Sequence, residues 1–183
     1  VDISADGEYI VVGASESGIV YLFDKDSSTP LWNYTVGDNV RLIAISADGE
    51  YIVGGFEDYR VYFFDKNNNI PLWGRYLEGN VNSVAISADG EYIAVGSGTF
   101  GGSSDNYGNK VYLFDNNGTL LWDYTTWSDV RTVAISADGE YIAAGTWDIT
   151  GSYDKVYLFD KDSSTPLWSY TTGSNVKVYC SHK

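Results

Sequence analysis

The sequence predicts an all-β chain of four successive four-stranded antiparallel units, and three observations carry that reading. The phrase Ile-Ser-Ala-Asp-Gly-Glu-Tyr-Ile occurs four times, starting at Ile3, Ile45, Ile86 and Ile135. Each copy is followed, in the same order, by Val-Tyr-(Leu/Phe)-Phe-Asp from Val20, Val61, Val111 and Val156, and by Leu-Trp at Leu31-Trp32, Leu72-Trp73, Leu121-Trp122 and Leu167-Trp168. The composition agrees: 16 Tyr, 7 Phe, 6 Trp and 20 Gly against 3 Pro and no Met suit short pleated strands joined by tight turns. No stretch shows the three-to-four-residue apolar rhythm of an amphipathic helix.

The second unit shows how the strands fall. Val40 to Ser46 reads as strand a, and Ala47-Asp48-Gly49-Glu50 as a tight turn. An Asp-Gly pair between hydrophobic runs signals a hairpin, because glycine reaches positive φ without steric cost. Tyr51 to Gly55 is strand b and Arg60 to Phe64 strand c, with Val61 and Phe63 facing opposite to Tyr62 and Phe64. After a turn at Asp65 to Asn69, Pro71 to Leu77 reads as strand d. A repeat of roughly forty residues with four short strands has the size of a propeller blade. The fold class is therefore a β-propeller, four blades of four antiparallel strands in one domain spanning 1–183. The blades fall at about 1–37, 38–79, 80–128 and 129–174, and 175–183 starts or completes a further strand.

Such a meander is apolar on both faces and must stack on its neighbours to bury them. Trp32, Trp73, Trp122 and Trp168, with the Tyr-x-Phe of strand c, read as that inter-blade core rather than as ligand-stacking residues.

These phrases resemble known repeats. Residues 156–173, Val-Tyr-Leu-Phe-Asp-Lys-Asp-Ser-Ser-Thr-Pro-Leu-Trp-Ser-Tyr-Thr-Thr-Gly, resemble the pyrroloquinoline-quinone-type (PQQ-like) repeat. Ser-Ala-Asp-Gly-Glu-Tyr-Ile-Ala-x-Gly is similar to the WD-repeat pattern, and the near-identity of the copies resembles archaeal surface-type propeller-repeat proteins. One departure stands out: the PQQ-like Thr-Gly turn is Thr-Pro or Ile-Pro in three of four units. The resemblance implies a propeller without fixing an activity, since these families include enzymes, assembly scaffolds and cell-surface proteins. A quinone-dependent dehydrogenase would need a complete ring with dedicated cofactor and calcium ligands, which the sequence does not reveal, so no cofactor is expected.

Two closures are open. Asn175 to Tyr179 aligns with Asn39 to Ile43, so it could complete the first blade and seal a four-bladed ring. Alternatively the chain is half of an eight-bladed ring or a fragment of a larger propeller, with a homodimer as one way to complete it. The arc is favoured because rings in the families resembled are usually larger, although it leaves strand edges bare.

Charge narrows the function. With 25 acidic against 11 basic side chains, a net −14, there is no basic stripe to displace counterions from nucleic acid, and an anionic membrane is disfavoured too. Cys180 is alone, so it forms no internal disulfide. No apolar run reaches the roughly 18 residues of a membrane span. The chain opens inside a strand pattern at Val1 with neither initiator Met nor signal peptide, as in a processed, truncated or fragment chain. His182, the only histidine, sits in the tail, so no Ser-His-Asp or Cys-His pair can be built in the body. The expectation is a protein that is not an enzyme.

Because strands alternate direction, the b–c and d–a loops share one end, and there the units differ. The second b–c loop is Phe56 to Tyr59, whereas the third runs Ser97 to Asn109 and the fourth Thr146 to Asp154. Variation at one end of a repetitive scaffold marks a binding surface. Phe100, Tyr107, Trp127, Trp147 and Tyr153, with Arg75 and Asp129, form the candidate site for a protein or carbohydrate partner. The competing reading is that these aromatics cap adjacent blades. The c–d turns, such as Asp24-Lys25-Asp26-Ser27-Ser28, space oxygens as calcium loops do, but a Lys intervenes and the closing Glu is missing, so turn chemistry is expected and no metal. Asn33-Tyr34-Thr35 and Asn117-Gly118-Thr119 are glycosylation sequons. The function expected is a non-catalytic interaction or scaffold propeller, extracellular or at the cell surface. The alternatives are part of a PQQ-dependent dehydrogenase-type enzyme and a structural spacer in a surface array.

Overall fold

Each repeat begins with a serine that locks its own hairpin. In the second, Ser46 Oγ–H donates to Asp48 Oδ1 at 2.5 Å while Oγ accepts the Tyr51 N–H at 3.0 Å. Asp48 Oδ1 also accepts the Glu50 N–H at 3.0 Å, and Gly49, at φ 74°, donates its N–H to Ser46 O. The same bonds recur at Ser4, Ser87 and Ser136. At Asp6 and Asp138 the serine hydroxyl first, and then the amide two residues on, hold the carboxyl below its usual range.

The computed structural model describes residues 1–99, 108–148 and 154–173. Sixteen strands occur among them. The first unit contains β1 (Asp2–Ile3), β2 (Tyr9–Ala14), β3 (Ile19–Asp24) and β4 (Trp32–Thr35), the second β5 (Val40–Ile45), β6 (Tyr51–Phe56), β7 (Arg60–Asp65) and β8 (Trp73–Tyr76). The third holds β9 (Asn80–Ile86), β10 (Tyr92–Gly98), β11 (Lys110–Asp115) and β12 (Leu120–Thr125), and the fourth β13 (Asp129–Ile135), β14 (Tyr141–Trp147), β15 (Lys155–Asp160) and β16 (Trp168–Thr171). Each quartet is a separate antiparallel meander with its strands in chain order, as the repeats require. Strand d is shorter than the predicted Pro71 to Leu77, since Pro71 has no N–H to pair. The flanks remain tied: the Leu72 and Leu77 amides donate to Phe63 O and Tyr59 O, each at 2.8 Å.

Packing follows the alternation along strand c. Val20 and Leu22 face forward into a cluster with Val40, Ile45, Ile52, Phe56 and Phe64 of the second blade. Val61 and Phe63 repeat this against Tyr112 and Phe114, and Val111 and Leu113 against Tyr157 and Phe159. Thus Val-x-Leu meets the blade ahead and Tyr-x-Phe the blade behind. Burying side chains of this size stabilises by about 1.5–3 kcal/mol each, which is what aligns one sheet on the next.

The tryptophans fasten the same joints. Trp32, Trp73 and Trp122 donate their indole N–H to the carbonyls of Lys66, Asn116 and Lys161, at 2.6, 2.9 and 2.7 Å, each in the c–d turn of the following blade. Their rings lie 5.8, 5.8 and 5.2 Å from Phe64, Phe114 and Phe159. The inter-blade role read from the sequence holds at these three. Trp168 differs: it is 50% exposed and has no acceptor among the described residues. No hydrophobic cluster among those residues joins the first and fourth blades. The segment 175–179, expected to begin or complete a strand, lies outside the described residues.

The c–d turns use their oxygens on themselves. Asp24, Asp65 and Asp160 each accept, through Oδ1, the amide two residues ahead, at 2.9, 2.7 and 2.9 Å. This is the turn chemistry expected from Asp and Asn.

Candidate functional site

β-bulges build the end of the molecule where the loops vary. Strand a of the second, third and fourth blades skips one residue in its pairing with strand b: Arg41, Asn82 and Arg131. A bulge takes the extra residue out of the strand-to-strand register and re-aims its side chain. Arg41 pairs with Glu57 of the short second b–c loop, and Asn39 Nδ2 donates to the same carboxylate. Asn82 Nδ2 reaches across to Val130 O at 3.2 Å.

In the fourth blade Arg131 donates from Nη2 to Asp129 Oδ2 at 3.0 Å, and its guanidinium carbon lies 4.7 Å from the centre of the Trp147 ring. This is cation–π distance. Asp129 and Trp147 are register partners across β13 and β14, which is why two residues far apart in sequence share the arginine. Asp129 is only 3% exposed. Its Oδ1 accepts the Thr99 N–H at 2.9 Å, so one carboxylate ties the third b–c loop to the bulge of the fourth blade. Burial pushes the Asp129 carboxyl above its ordinary range, and the Arg131 charge opposes that rise.

Trp127 sits in the β12–β13 loop, two residues before Asp129, and is 68% exposed. The loop beneath it is fixed: Thr126 donates both N–H and Oγ1–H to Asn109 O, at 2.8 and 3.0 Å, and Oγ1 also lies 2.7 Å from Ser128 O. A large indole thus stands in solvent on an anchored base.

The two long b–c loops share one device. Asn109 and Asp154, the residues just before strand c, accept the amides of Thr99 and Asp148 at 3.2 and 2.7 Å, closing the base of each loop. In the same blades the hydroxyls of Ser97 and Thr146 accept the amides of Lys110 and Lys155. The first two blades have Ala14 and Phe56 at the hydroxyl positions and short loops.

Of the predicted site residues, the structure brings Trp127, Asp129 and Trp147 to one end. Asp129 supports the surface from within and contacts no solvent of consequence. Arg75 stands elsewhere: it takes the place in β8 that Tyr34 and Tyr124 hold in β4 and β12, and its Nε–H donates to Gly118 O in the next blade's c–d turn at 2.9 Å. It is a clasp between blades. Phe100, Tyr107 and Tyr153 lie outside the described residues. Sequence reading placed Arg131 beside this face but did not select Thr99, Asn109 or Asp154. A signal existed for Asn109 and Asp154, since both polar residues precede the strand-c phrase only in the units with long loops. Among the described residues no three or more His, Cys, Asp and Glu side chains gather as a metal site would, and no helix is long and apolar enough to cross a membrane.

No curated protein matches the chain significantly. A family of propeller repeats, described as outer membrane protein assembly factor BamB, matches residues 2–177. With four successive four-stranded sheets joined by repeated tryptophan clasps, and a match that runs nearly from end to end, the chain belongs to this PQQ-repeat, BamB-like propeller family.

Proposed function

We propose that this chain is a non-catalytic interaction module that binds a protein or carbohydrate through the b–c/d–a end of its third and fourth blades, at or outside the cell surface. The observation that supports this best is Trp127: an indole left in solvent on a hydrogen-bonded loop, beside the Arg131–Trp147 stack that Asp129 holds. Rigid aromatic and arginine side chains give contact area at low entropic cost and dominate binding energetics. The family description names an assembly factor, which agrees with a binding role. The acidic balance and the Asn117 sequon, in an exposed turn, support a location outside the cytoplasm.

The test is paired capture from an envelope fraction, comparing the natural chain with Trp127→Ala and Trp147→Ala at equal loading. Each substitution should lower recovery of the same captured species roughly tenfold or more, as loss of an interface anchor does. For Trp127→Ala, circular dichroism and the thermal midpoint should not move, because that ring is 68% exposed. Trp147→Ala should keep its circular dichroism and lower the midpoint slightly, since the ring also stacks on Arg131. Unchanged recovery with both variants would sink the proposal.

A further inference from the structure

We propose that the second blade carries a separate site for an uncharged oligosaccharide, built from Tyr59, Arg60 and Tyr76 at the same end of the molecule as the variable loops. It stands apart from the surface around Trp127, and neither depends on the other.

The four units are near copies, so exposed positions where one unit alone departs from the rest point to a task that unit alone performs. After its tryptophan, strand d reads Asn-Tyr-Thr, Asp-Tyr-Thr and Ser-Tyr-Thr in the first, third and fourth units, but Gly74-Arg75-Tyr76 in the second. Tyr76 thus replaces Thr35, Thr125 and Thr171. In the b–c turn, Tyr59 holds the place that Gly18 has in the first blade. The carbonyl of each accepts the amide that follows strand d, Val36 or Leu77, at 2.8 Å. Gly18 has φ 62° and Tyr59 φ 66°, and Tyr59 is the only residue other than glycine at positive φ among those described. A bulky L side chain enters this region against steric resistance. The turn accepts glycine in the first blade, so the tyrosine ring is not kept for the turn's sake.

These departures build a corner of two rings. Tyr59 and Tyr76 meet edge to face, with centroids 5.9 Å apart at 67°. They are 38% and 69% exposed. Arg60 is the register partner of Tyr76 across β7 and β8. Its Nη1 donates to Tyr62 Oη at 3.1 Å and stands 3.4 Å from Asp58 Oδ2. Gly74 makes room for the ring that steers it, since a Cβ there would lie 2.7 Å from Tyr62 Cε1. Beside Asp58 in the same turn, Glu57 accepts from Arg41 and from Asn39 Nδ2.

The chemistry of this spot selects its occupant. Charges cancel in pairs, Arg60 with Asp58 and Arg41 with Glu57, so on a chain of net −14 this place favours neither a cation nor an anion. Planar guanidinium donors and carboxylate acceptors stand side by side and partly exposed. A sugar hydroxyl donates and accepts at once, so neighbouring hydroxyls can answer both kinds of group. The C–H face of a pyranose packs flat on an aromatic ring, and a corner of two rings holds it from below and from one side. A proline-rich segment, another occupant of exposed tyrosines, offers carbonyl acceptors but few donors and would leave Asp58 and Glu57 unanswered.

Isothermal titration of the natural chain with cellohexaose, maltohexaose and mannohexaose tests the site, with decaproline as the competing class. At least one of the oligosaccharides should bind. Tyr59→Gly installs the residue of the first blade and Tyr76→Thr that of the other three, so both variants should keep their circular dichroism. Each should weaken sugar binding about tenfold or more. Tyr76→Thr carries the test if Tyr59→Gly fails to fold. Silence with all three sugars overturns the proposal, as does sugar binding that the folded variants leave unchanged. Binding of decaproline in their place, lost in the variants, overturns it in favour of a peptide.

Discussion

Replacing Phe63 by alanine lowers the stability of the array by about 3–5 kcal/mol, the cost typical of emptying a buried phenylalanine site. Phe63 is fully buried and lies stacked between Tyr51 and Trp73, with ring centres 5.3 and 5.1 Å away. It also faces the third blade, in the cluster with Val81, Ile93, Tyr112 and Phe114. Neither neighbouring ring can collapse into the space, because Trp73 is pinned through its N–H to Asn116 O. In a nearest-neighbour array this weakens the middle joint, so urea unfolding should separate into two transitions. Leu158→Ala alters the same position of the fourth blade, where the side chain is half-buried, and should cost less than half as much. Equal costs at the two sites would show that the joint ahead of the second blade is not where Phe63 does its work.

Gly90→Ala should be nearly as damaging, and Gly7→Ala should not. Both residues occupy the left-handed region, at φ 71° and 74°, so each substitution carries a backbone cost of roughly 1–2 kcal/mol. At Gly90 an added methyl lies 2.9 Å from Cγ and 3.1 Å from Cβ of Tyr51, and closer still to Cδ2. That ring cannot swing aside, since it stacks on Phe63. Overpacking adds about 1–3 kcal/mol, for a total near 2–5. Gly7 has open space and pays the backbone term alone. Thermal or chemical denaturation of the two variants at a concentration low enough to keep chains apart reads the difference directly.

The strand layout was legible because four near-identical copies make the alternation of strand c visible at a glance. The hairpin serine and Asp-Gly turn carry their hydrogen bonds in the local sequence, and the inter-blade tryptophans repeat at one phase. The end of the molecule was less so. Asp129 reads as a surface charge, yet its environment is set by Thr99 of the blade behind, a contact that no local pattern encodes. Arg75 falls inside strand d on the sequence reading too, and only the contact of its side chain with a turn in the next repeat shows that it belongs to the joint and not to the loop end. Bulges hide for the same reason: Arg41, Asn82 and Arg131 leave the ladder through pairing with strand b, which inspection of strand a alone does not reveal. Closure was undecided in the sequence because every blade carries both halves of the joint, and only packing shows which halves are used.

The tryptophan clasps all point the same way, from strand d of one blade to a turn in the next. A chain emerging from the ribosome makes each indole before its acceptor exists, since Trp32 precedes Lys66 by 34 residues and Trp73 precedes Asn116 by 43. At about 5–20 residues per second, each finished blade waits some seconds with its forward face bare until the following turn is synthesised. Nascent chains on one messenger therefore present unsatisfied forward faces close to completed first blades of their neighbours. The long sequence separation lengthens that exposure, and the strong like charge of the chains, net −14 each, keeps neighbours apart while they wait.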